Sequence, residues 1–311
     1  MSSYVDIVIV NWNAGEQLRD CIESVRAYHS SLVQKCIVVD NGSTDRSTDF
    51  LVGADDVELI LTGKNLGFAA ACNLGASRGS GKFILLLNPD ACLLTDTLAS
   101  SVRYMEDHAA AGVDILGVQL IGEDGQVQRT SARFPTAGAM LAKSIGIATL
   151  MKHWDYHMQD WDHAETRRVD HVIGAYFLVR RKLFERLSGL DERYFVYLED
   201  LDFSYRSALS GSSSVYLTEV QAYHKGGGTS EQVKAHRLFY SLRSRMLYAF
   251  KHFSKPAAIS ISTATLTLEP LTRLSMLVLR GRWREIRDLG RGYRMLWGWA
   301  LSQLGGAQKH G

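Results

Sequence analysis

Three polar motifs bring side chains able to do chemistry close together in the chain: Asp40-Asn41-Gly42-Ser43-Thr44-Asp45, Asn88-Pro89-Asp90 and Glu199-Asp200-Leu201-Asp202. The first two follow directly on the apolar runs 36–39 and 83–87, which read as buried strands. Groups at strand ends open into the crevice where open parallel sheets bind ligands. Two carboxylates delivered there, with a third acidic cluster downstream, point to an anionic nucleotide and a metal ion.

Each motif has its own chemical logic. The turn after Asp40 leaves its carboxylate near the sheet edge, able to accept a hydrogen bond from a ligand donor such as the imide N–H of uracil or thymine. The same residues also suit a plain turn with a helix cap at Ser43 or Thr44. Asp90, held beyond its strand by Pro89 with its fixed φ, suits a hard divalent cation, Mg²⁺ or Mn²⁺, that also bridges phosphates. An Asx turn opening the loop is the alternative. Glu199, Asp200 and Asp202 follow the aromatic segment Tyr194-Phe195-Val196-Tyr197. Crowding and burial raise a carboxyl pKa toward the range of a general base, while acidic residues also favour a helix N-terminus. His224 precedes Lys225-Gly226-Gly227-Gly228-Thr229-Ser230. It suits a metal ligand beside a phosphate-approaching backbone, or else an ordinary hydrogen-bonded histidine.

The elements that must position these groups alternate between strand and helix, the pattern of an α/β fold. Residues 5–10 form a β-branched strand. Leu18, Cys21, Ile22 and Val25 then fall on one helical face, with Asn13 and Glu16 spaced as a capping pair. Strands are expected at 36–39, 57–61, 83–87 and 117–121, with helices at 68–77 and from Thr95, the latter carrying Leu98, Val102 and Met105. A Glu123-Asp124-Gly125 turn follows. Continuous apolar strands imply a parallel sheet covered on both faces. Over 126–168 the periodicity fades, and Trp154, Tyr156 and Trp161 stand among polar residues; this reads as a long loop or small helical insert whose aromatics either stack on sugar rings or cap the core. A strand at 169–179 and a helix at 181–187 precede the acidic cluster. Beyond Ser230 the chain is helical, with Phe239, Leu242, Met246, Phe250 and Phe253 spaced as a buried stripe.

Composition narrows the class. The 311 residues are 46% hydrophobic and 22% charged with a net charge of +2, ordinary for a globular protein and too balanced to argue for nucleic acid. Cys21, Cys36, Cys72 and Cys92 lack close-pair spacing and read as buried hydrophobes in a reducing compartment, not as a zinc site. The N-terminus enters a strand without a basic leader, so a cytoplasmic protein is expected. The first strand is followed by Asn11-Trp12-Asn13 and not by a glycine fingerprint, which disfavours a Rossmann dehydrogenase.

The order of these motifs resembles the inverting glycosyltransferases of family 2, enzymes of the GT-A fold that use nucleotide-activated sugars. The matching segments are 7–13, 38–45, 65–73, 87–90, Gly174-Ala175, 199–202 and His224, over roughly residues 4–253. The resemblance implies a mostly parallel nucleotide-binding sheet over residues 1–254 and a helical region over 255–311. It implies that Asp40 holds the base with Asn11 and Asn41 nearby, that Asn65, Gly67 and Asn73 line the nucleotide and ribose, and that Asn88 opens the metal motif. Asp90 and His224 would hold the divalent cation, and Asp200 would be the catalytic base, supported by Glu199 and Asp202. The family's metal motif often has acids at both ends; here its first position is Asn88. The branch most resembled is the bacterial rhamnosyltransferase-like enzymes, implying a dTDP-L-rhamnose donor and a glycan or lipid-linked saccharide acceptor. A non-catalytic nucleotide-sugar or glycan-binding module is the alternative.

Between Pro270 and Arg294 seven arginines face only Glu285 and Asp288, interleaved with leucines and aromatics. That composition favours peripheral contact with an anionic membrane, at the inner face of the cell membrane, or else packing in a homo-oligomer or on the chain's own core. Glu269, Pro270 and Arg273 interrupt the apolar stretch 257–279, which falls short of a membrane span.

Overall fold

The computed structural model describes residues 4–29, 31–147, 156–226 and 233–307. Trp154 and the glycine run from Gly227 to Ser230, singled out in the sequence, lie outside the described residues. The chain divides into two compact units, one of Met1–Phe134, His157–Phe195 and Glu199–Thr229, the other of Pro135–Tyr156, Val196–Leu198 and Ser230–Gly311. The division expected at residue 254 therefore falls differently, because residues 234–252 share a core with the helices that follow them.

The first unit is an α/β layer structure. Strands β1 (Val5–Asn11), β2 (Val33–Asp40), β3 (Val57–Leu61), β4 (Phe83–Leu87), β5 (Ala91–Leu93), β6 (Val113–Ile121), β8 (Arg167–Val169), β10 (Tyr176–Arg180) and β11 (Ser213–His224) join one sheet. Its order is β3-β2-β1-β4-β10-β6-β11-β5, with β8 beside β11. β1 pairs in parallel with β2 and β4, β2 with β3, and β6 with β11, while β10, β5 and β8 run the other way. The central strands β1 and β4 are buried along their whole length because both faces are covered. Ile7, Ile9 and Leu85 face one core with Leu18 and Ile22 of α1 (Glu16–His29), and Val8, Val10 and Leu86 face the other with Ala71 and Cys72 of α2 (Phe68–Ala76). Helix α2 is built of small residues since it lies hard against the sheet: a Cβ on Gly75 would sit 2.4 Å from Val8 Cγ1.

One charge is locked inside this core. Asp6 is fully buried, and its Oδ2 accepts from Arg181 Nη2 at 2.7 Å and from Gly81 N at 2.6 Å. Arg181 opens helix α5 (Arg181–Arg186), so the pair ties the first strand to a segment far along the chain. The cysteines are all free; Cys21, Cys36 and Cys72 are buried, while Cys92 is only half-buried. Burial pushes the Cys36 thiol to about 12.

Several local expectations are corrected. Asn13 does not cap α1: it adopts φ +53° and its Oδ1 accepts from Thr44 N at 2.7 Å, while Glu16 pairs with Arg19. Helix α3 (Thr97–Asp107) starts after Thr95, where the Thr97 hydroxyl accepts from Leu94 N and donates to Gln221 O. The expected strand 169–179 breaks into β8, β9 (His171–Val172) and β10, with β9 pairing instead with β7 (Ser131–Ala132). Its apolar pattern is continuous, but Asp170 turns aside to accept from Phe134 N at 2.8 Å.

The second unit comprises α4 (Ala137–Ser144), α7 (Lys234–His252), α8 (Lys255–Leu279) and α9 (Trp283–Ala307). Leu242, Met246, Leu289, Tyr293 and Leu296 form its core. Phe250, expected in the buried stripe, is exposed, and Arg245 is buried in its place. Arg245 Nη1 contacts Glu269 Oε2 at 2.5 Å and donates to Ser144 Oγ at 3.0 Å, and Glu269 Oε1 also accepts from Arg273 Nη2 at 2.8 Å. Pro270 follows inside α8 and lacks the N–H that would bond the carbonyl of Leu266; the indole Nε1–H of Trp297 donates to that carbonyl at 3.0 Å instead. No described helix is long and apolar enough to cross a membrane.

Candidate active site

The sheet brings the motifs of the first unit to one edge. Asn11 and Asp40 end the parallel neighbours β1 and β2 in direct register, and Asn88-Pro89-Asp90 follows β4 on the other side of β1. The antiparallel β10 begins at the same edge, with Tyr176 opposite Leu87, and β11 ends there at His224, opposite Ala91.

At the β1–β2 end, Asn11 organises the pocket. Its buried Nδ2 lies 2.9 Å from Asp40 Oδ1, 3.0 Å from Ser43 Oγ and 2.8 Å from Ser47 Oγ. Ser43 N donates to Asp40 Oδ2 at 3.3 Å. Asp40 is thus an acceptor held from two sides, with lone pairs left for a ligand N–H. Burial alone would raise the Asp45 carboxyl, but hydrogen bonds from Ser47 and Gly15 hold it below its ordinary value.

Asn41 fixes the next loop. Its Oδ1 accepts from Leu66 N at 2.8 Å, and its Nδ2 donates to Asn65 Oδ1 at 3.0 Å and Gly67 O at 3.2 Å. Gly67 must be glycine, since φ is +91° and a Cβ would meet Phe195 O at 2.6 Å. That carbonyl accepts from Phe68 N at 2.6 Å, which pins the approach to the acidic cluster. Asn73 is placed otherwise than the family resemblance implied. Its Oδ1 accepts from Leu190 N, and its Nδ2 donates to Leu190 O and Glu192 Oε1, so it clamps the 190–192 segment.

Asp90 and His224 do come together: His224 Nε2 lies 3.4 Å from Asp90 Oδ1, both side chains largely buried. Gln128, which sequence reasoning missed, sets the geometry. Its Nε2 donates to His224 O at 2.8 Å, which leaves its Oε1 to face His224 Nδ1 at 2.8 Å. An acceptor there requires Nδ1 to carry a proton, so in the neutral ring the Nε2 lone pair is the one on the Asp90 side, and two electron donors of this kind suit a shared cation. No group of three or more His, Cys, Asp or Glu side chains placed to hold a metal ion is seen among the described residues. A carboxylate oxygen and an imidazole nitrogen are donor types that a divalent cation accepts.

The acidic cluster opens helix α6 (Glu199–Leu209), as the helix-terminus reading expects. Two successive non-glycine residues in the left-handed region, Tyr197 at φ +70° and Leu198 at φ +68°, precede it. Asp200 Oδ2 accepts from Gly174 N at 2.9 Å, which fastens it to the start of β10, and Oδ1 accepts from Leu201 N at 2.8 Å. His171 Nε2 stands 3.6 Å from the same Oδ2, with Nδ1 3.1 Å from Ser204 Oγ. His171 also escaped the sequence reading; its only signal was its nearness to Gly174-Ala175. Burial lowers the His171 pKa, so the ring is neutral near pH 7. Glu199 is buried with Oε2 unpartnered, and burial, then the charges of Asp200 and Asp202, raise its pKa well above the ordinary value. Asp202 is fully buried and pairs with Arg206 Nε at 2.7 Å, a structural tie.

Two of the described aromatics of the 126–168 region have packing partners. Trp161 stacks on His163 with centroids 4.1 Å apart, meets Tyr216 edge-on and lies under Arg167; Lys143 covers Tyr156.

Comparison with known proteins places this architecture. The family model described as "Glycosyl transferase family 2" matches residues 6–188. The chain is 27% identical over 269 residues to the N-acetylglucosaminyl-diphospho-decaprenol L-rhamnosyltransferase of Mycobacterium tuberculosis, covering 81% of this chain and 86% of the relative. It is 25% identical over 234 residues to the rhamnosyltransferase WbbL of Escherichia coli, covering 71% and 83%. Among solved structures, Staphylococcus aureus TarS 1–349 in complex with UDP-GlcNAc aligns with a TM-score of 0.57 at 14% identity, covering 92% of this chain and 78% of TarS. The mannosyltransferase PcManGT of Pyrobaculum calidifontis, in complex with GDP-Man and Mn²⁺, aligns with a TM-score of 0.54 at 15% identity, covering 98% and 88%. With the motifs on one edge of a GT-A sheet and the family model matching more than half its length, this chain belongs to glycosyl transferase family 2.

Proposed function

We propose that this protein is an inverting glycosyltransferase that moves a sugar from a nucleoside diphosphate donor, preferentially dTDP-L-rhamnose, to a glycan or lipid-linked saccharide in cell-surface polysaccharide synthesis. The observation that carries the reading is the Asp90 carboxylate facing the Gln128-oriented His224 Nε2, on the sheet edge that also holds Asp40 and Asp200. The rhamnosyltransferase relatives support the sugar, and the Mycobacterium relative's name supports a lipid-linked acceptor.

Asp40, braced by Asn11 and Ser43, accepts the imide N–H of a pyrimidine base, and the loop shaped by Asn41, Asn65 and Gly67 lines the nucleotide. Asp90 and His224 would hold the divalent cation, which when bound neutralises the diphosphate charge. Asp200 accepts the proton of the acceptor hydroxyl as that oxygen bonds to the anomeric carbon and the bond to the diphosphate breaks. The proton resides on the Asp200 carboxyl, the electron pair leaves with the nucleoside diphosphate, and one displacement inverts the centre. Glu199 and Asp202 support the helix turn that presents Asp200.

Calorimetry of dTDP, UDP and GDP binding with and without Mn²⁺, run beside Asp90→Ala, tests the donor site. Mn²⁺-dependent binding of dTDP that collapses in the variant is expected; a chain that binds none of the three nucleotides overturns the reading in favour of a non-catalytic module. Asp200→Asn is expected to abolish transfer with dTDP binding intact, and retained turnover would sink the base assignment.

A further inference from the structure

The second unit carries a surface that sugar transfer alone does not explain. On α9, Arg284, Arg287, Arg291 and Arg294 are all exposed. Their spacing of three, four and three residues keeps them within an arc of about 80° at 100° per residue. Exposed tryptophans, Trp283 at 63% and Trp297 at 46%, bracket this stripe. The bracket spans about 21 Å at 1.5 Å per residue. Leu289, Tyr293 and Leu296, on the opposite face, are buried in the unit's own core, so α9 already has its packing partner and the arginine face is left outward.

The charge on this face is uncompensated. No ion pair to any of the four arginines is seen among the described residues. Glu285 turns instead to Arg282 and Lys234, and Asp288 is half-buried at the stripe's margin. The turn leading into α9 adds Leu279, 85% exposed, together with exposed Arg280 and Arg282. Arginine rows ended by tryptophan and leucine match the chemistry of a lipid headgroup layer, where cations meet phosphates and indoles sit at the boundary with the acyl chains. A second copy of the same face fits poorly, because two arginine rows would be brought together. Nucleic acid accounts for the arginines and leaves the exposed Leu279 and Trp283 unexplained.

We infer that α9 lies flat on an anionic phospholipid leaflet, its arginine row on the headgroup phosphates and Trp283 with Leu279 seated in the interface. This deepens, and for its purpose rests on, the lipid-linked acceptor reading. Binding is scored without donor or acceptor, so failure of transfer and failure of attachment are separate results.

The test is flotation of the full chain with phosphatidylcholine vesicles made with and without phosphatidylglycerol, at low and high salt, following Trp fluorescence. Flotation only with the anionic vesicles, weakened by salt and accompanied by a blue shift, is expected. Arg287→Gln with Arg291→Gln should lower the partition coefficient about 30-fold, taking each surface arginine at about fivefold. Trp283→Ser should remove most of the blue shift while circular dichroism stays unchanged. Equal flotation of wild type and the double-arginine variant overturns the inference. So does loss of binding to vesicles alongside retained binding to single-stranded RNA, or a dimer in light scattering that the arginine substitutions dissolve.

Discussion

His171 Nε2 lies 3.6 Å from Asp200 Oδ2, and the other ring nitrogen is 3.1 Å from Ser204 Oγ, so a buried neutral imidazole is braced by a hydroxyl against the proposed catalytic base. In the tautomer whose Nδ1 accepts from Ser204, Nε2–H is the group turned to the carboxylate. Glu199 and Asp202 flank the pair on α6, Asp170 on the strand side, and the inert Cys72 thiol on α2. His171→Phe removes a partner of the ionised carboxylate. Expected are a fall in kcat/KM of tenfold or slightly more and an unchanged affinity for dTDP. A kcat/KM equal to that of wild type would show that the imidazole only fills space.

The histidines also set an acid limit on stability. Burial is the main cause that lowers the pKa of His171 and His163 below the ordinary 6.5. Between that lowered value and 6.5 the unfolded chain binds more protons than the folded one, so stability is complete above about pH 6.5 and lost as pH falls below it. Thermal melts of wild type are expected to drop on going from about pH 7.5 to 5.5, and His171→Phe should lose part of that dependence.

Glu199 acts in the opposite sense. Its folded pKa is raised by burial and by neighbouring carboxylates, so the folded chain holds the proton more tightly. The stability this contributes is complete below the unfolded value near 4.5 and is lost as pH rises from there toward the raised value. Glu199→Gln should therefore melt progressively higher than wild type as pH is raised above about 4.5. Differential scanning calorimetry of both proteins across pH measures this gap, and a gap that shrinks with pH would contradict the sign.

Removing one partner of the buried Asp6–Arg181 pair leaves an uncompensated charge. Asp6→Ala is expected to cost about 3 kcal/mol, or about 6 °C in Tm for a domain of this size. Urea titration read by far-UV circular dichroism gives the value.

Gln128 acts through His224. Gln128→Leu removes the acceptor that places the proton on Nδ1, so Nε2 no longer presents a fixed lone pair. Mn²⁺ affinity in the presence of dTDP should fall about tenfold or more. Titration followed by electron paramagnetic resonance checks this without any turnover.

The local pattern made most of the nucleotide-binding half legible. Continuous apolar strands with polar residues after them state both the buried sheet and the edge where ligands bind, because period and burial are properties of neighbouring residues. Strands 57–61 and 83–87 coincide with the observed elements for this reason. Asn11, Asp40, Asp90, Asp200 and His224 could be singled out in the sequence because each sits in a motif whose order along the chain carries information.

What the tertiary structure decided is which partner each polar atom meets. Asn73 was expected on the ribose and clamps Leu190; Trp161 is packed on His163 and Tyr216; Gln128 and His171 belong to no motif, yet each orients a proposed functional group. The strand expected at 169–179 breaks where Asp170 bonds the Phe134 amide, and Trp297 answers the carbonyl that Pro270 leaves open. Apart from the Trp161–His163 stack, these contacts link residues 29 to 117 positions apart. The sequence by itself determined the α/β order, the buried strands and the acidic groups at their ends, since those follow from contacts within a few residues. Pairing of hydrogen-bond donors with acceptors depends on distances that exist only once the chain has closed on itself, and so the orientation of the site belonged to the fold.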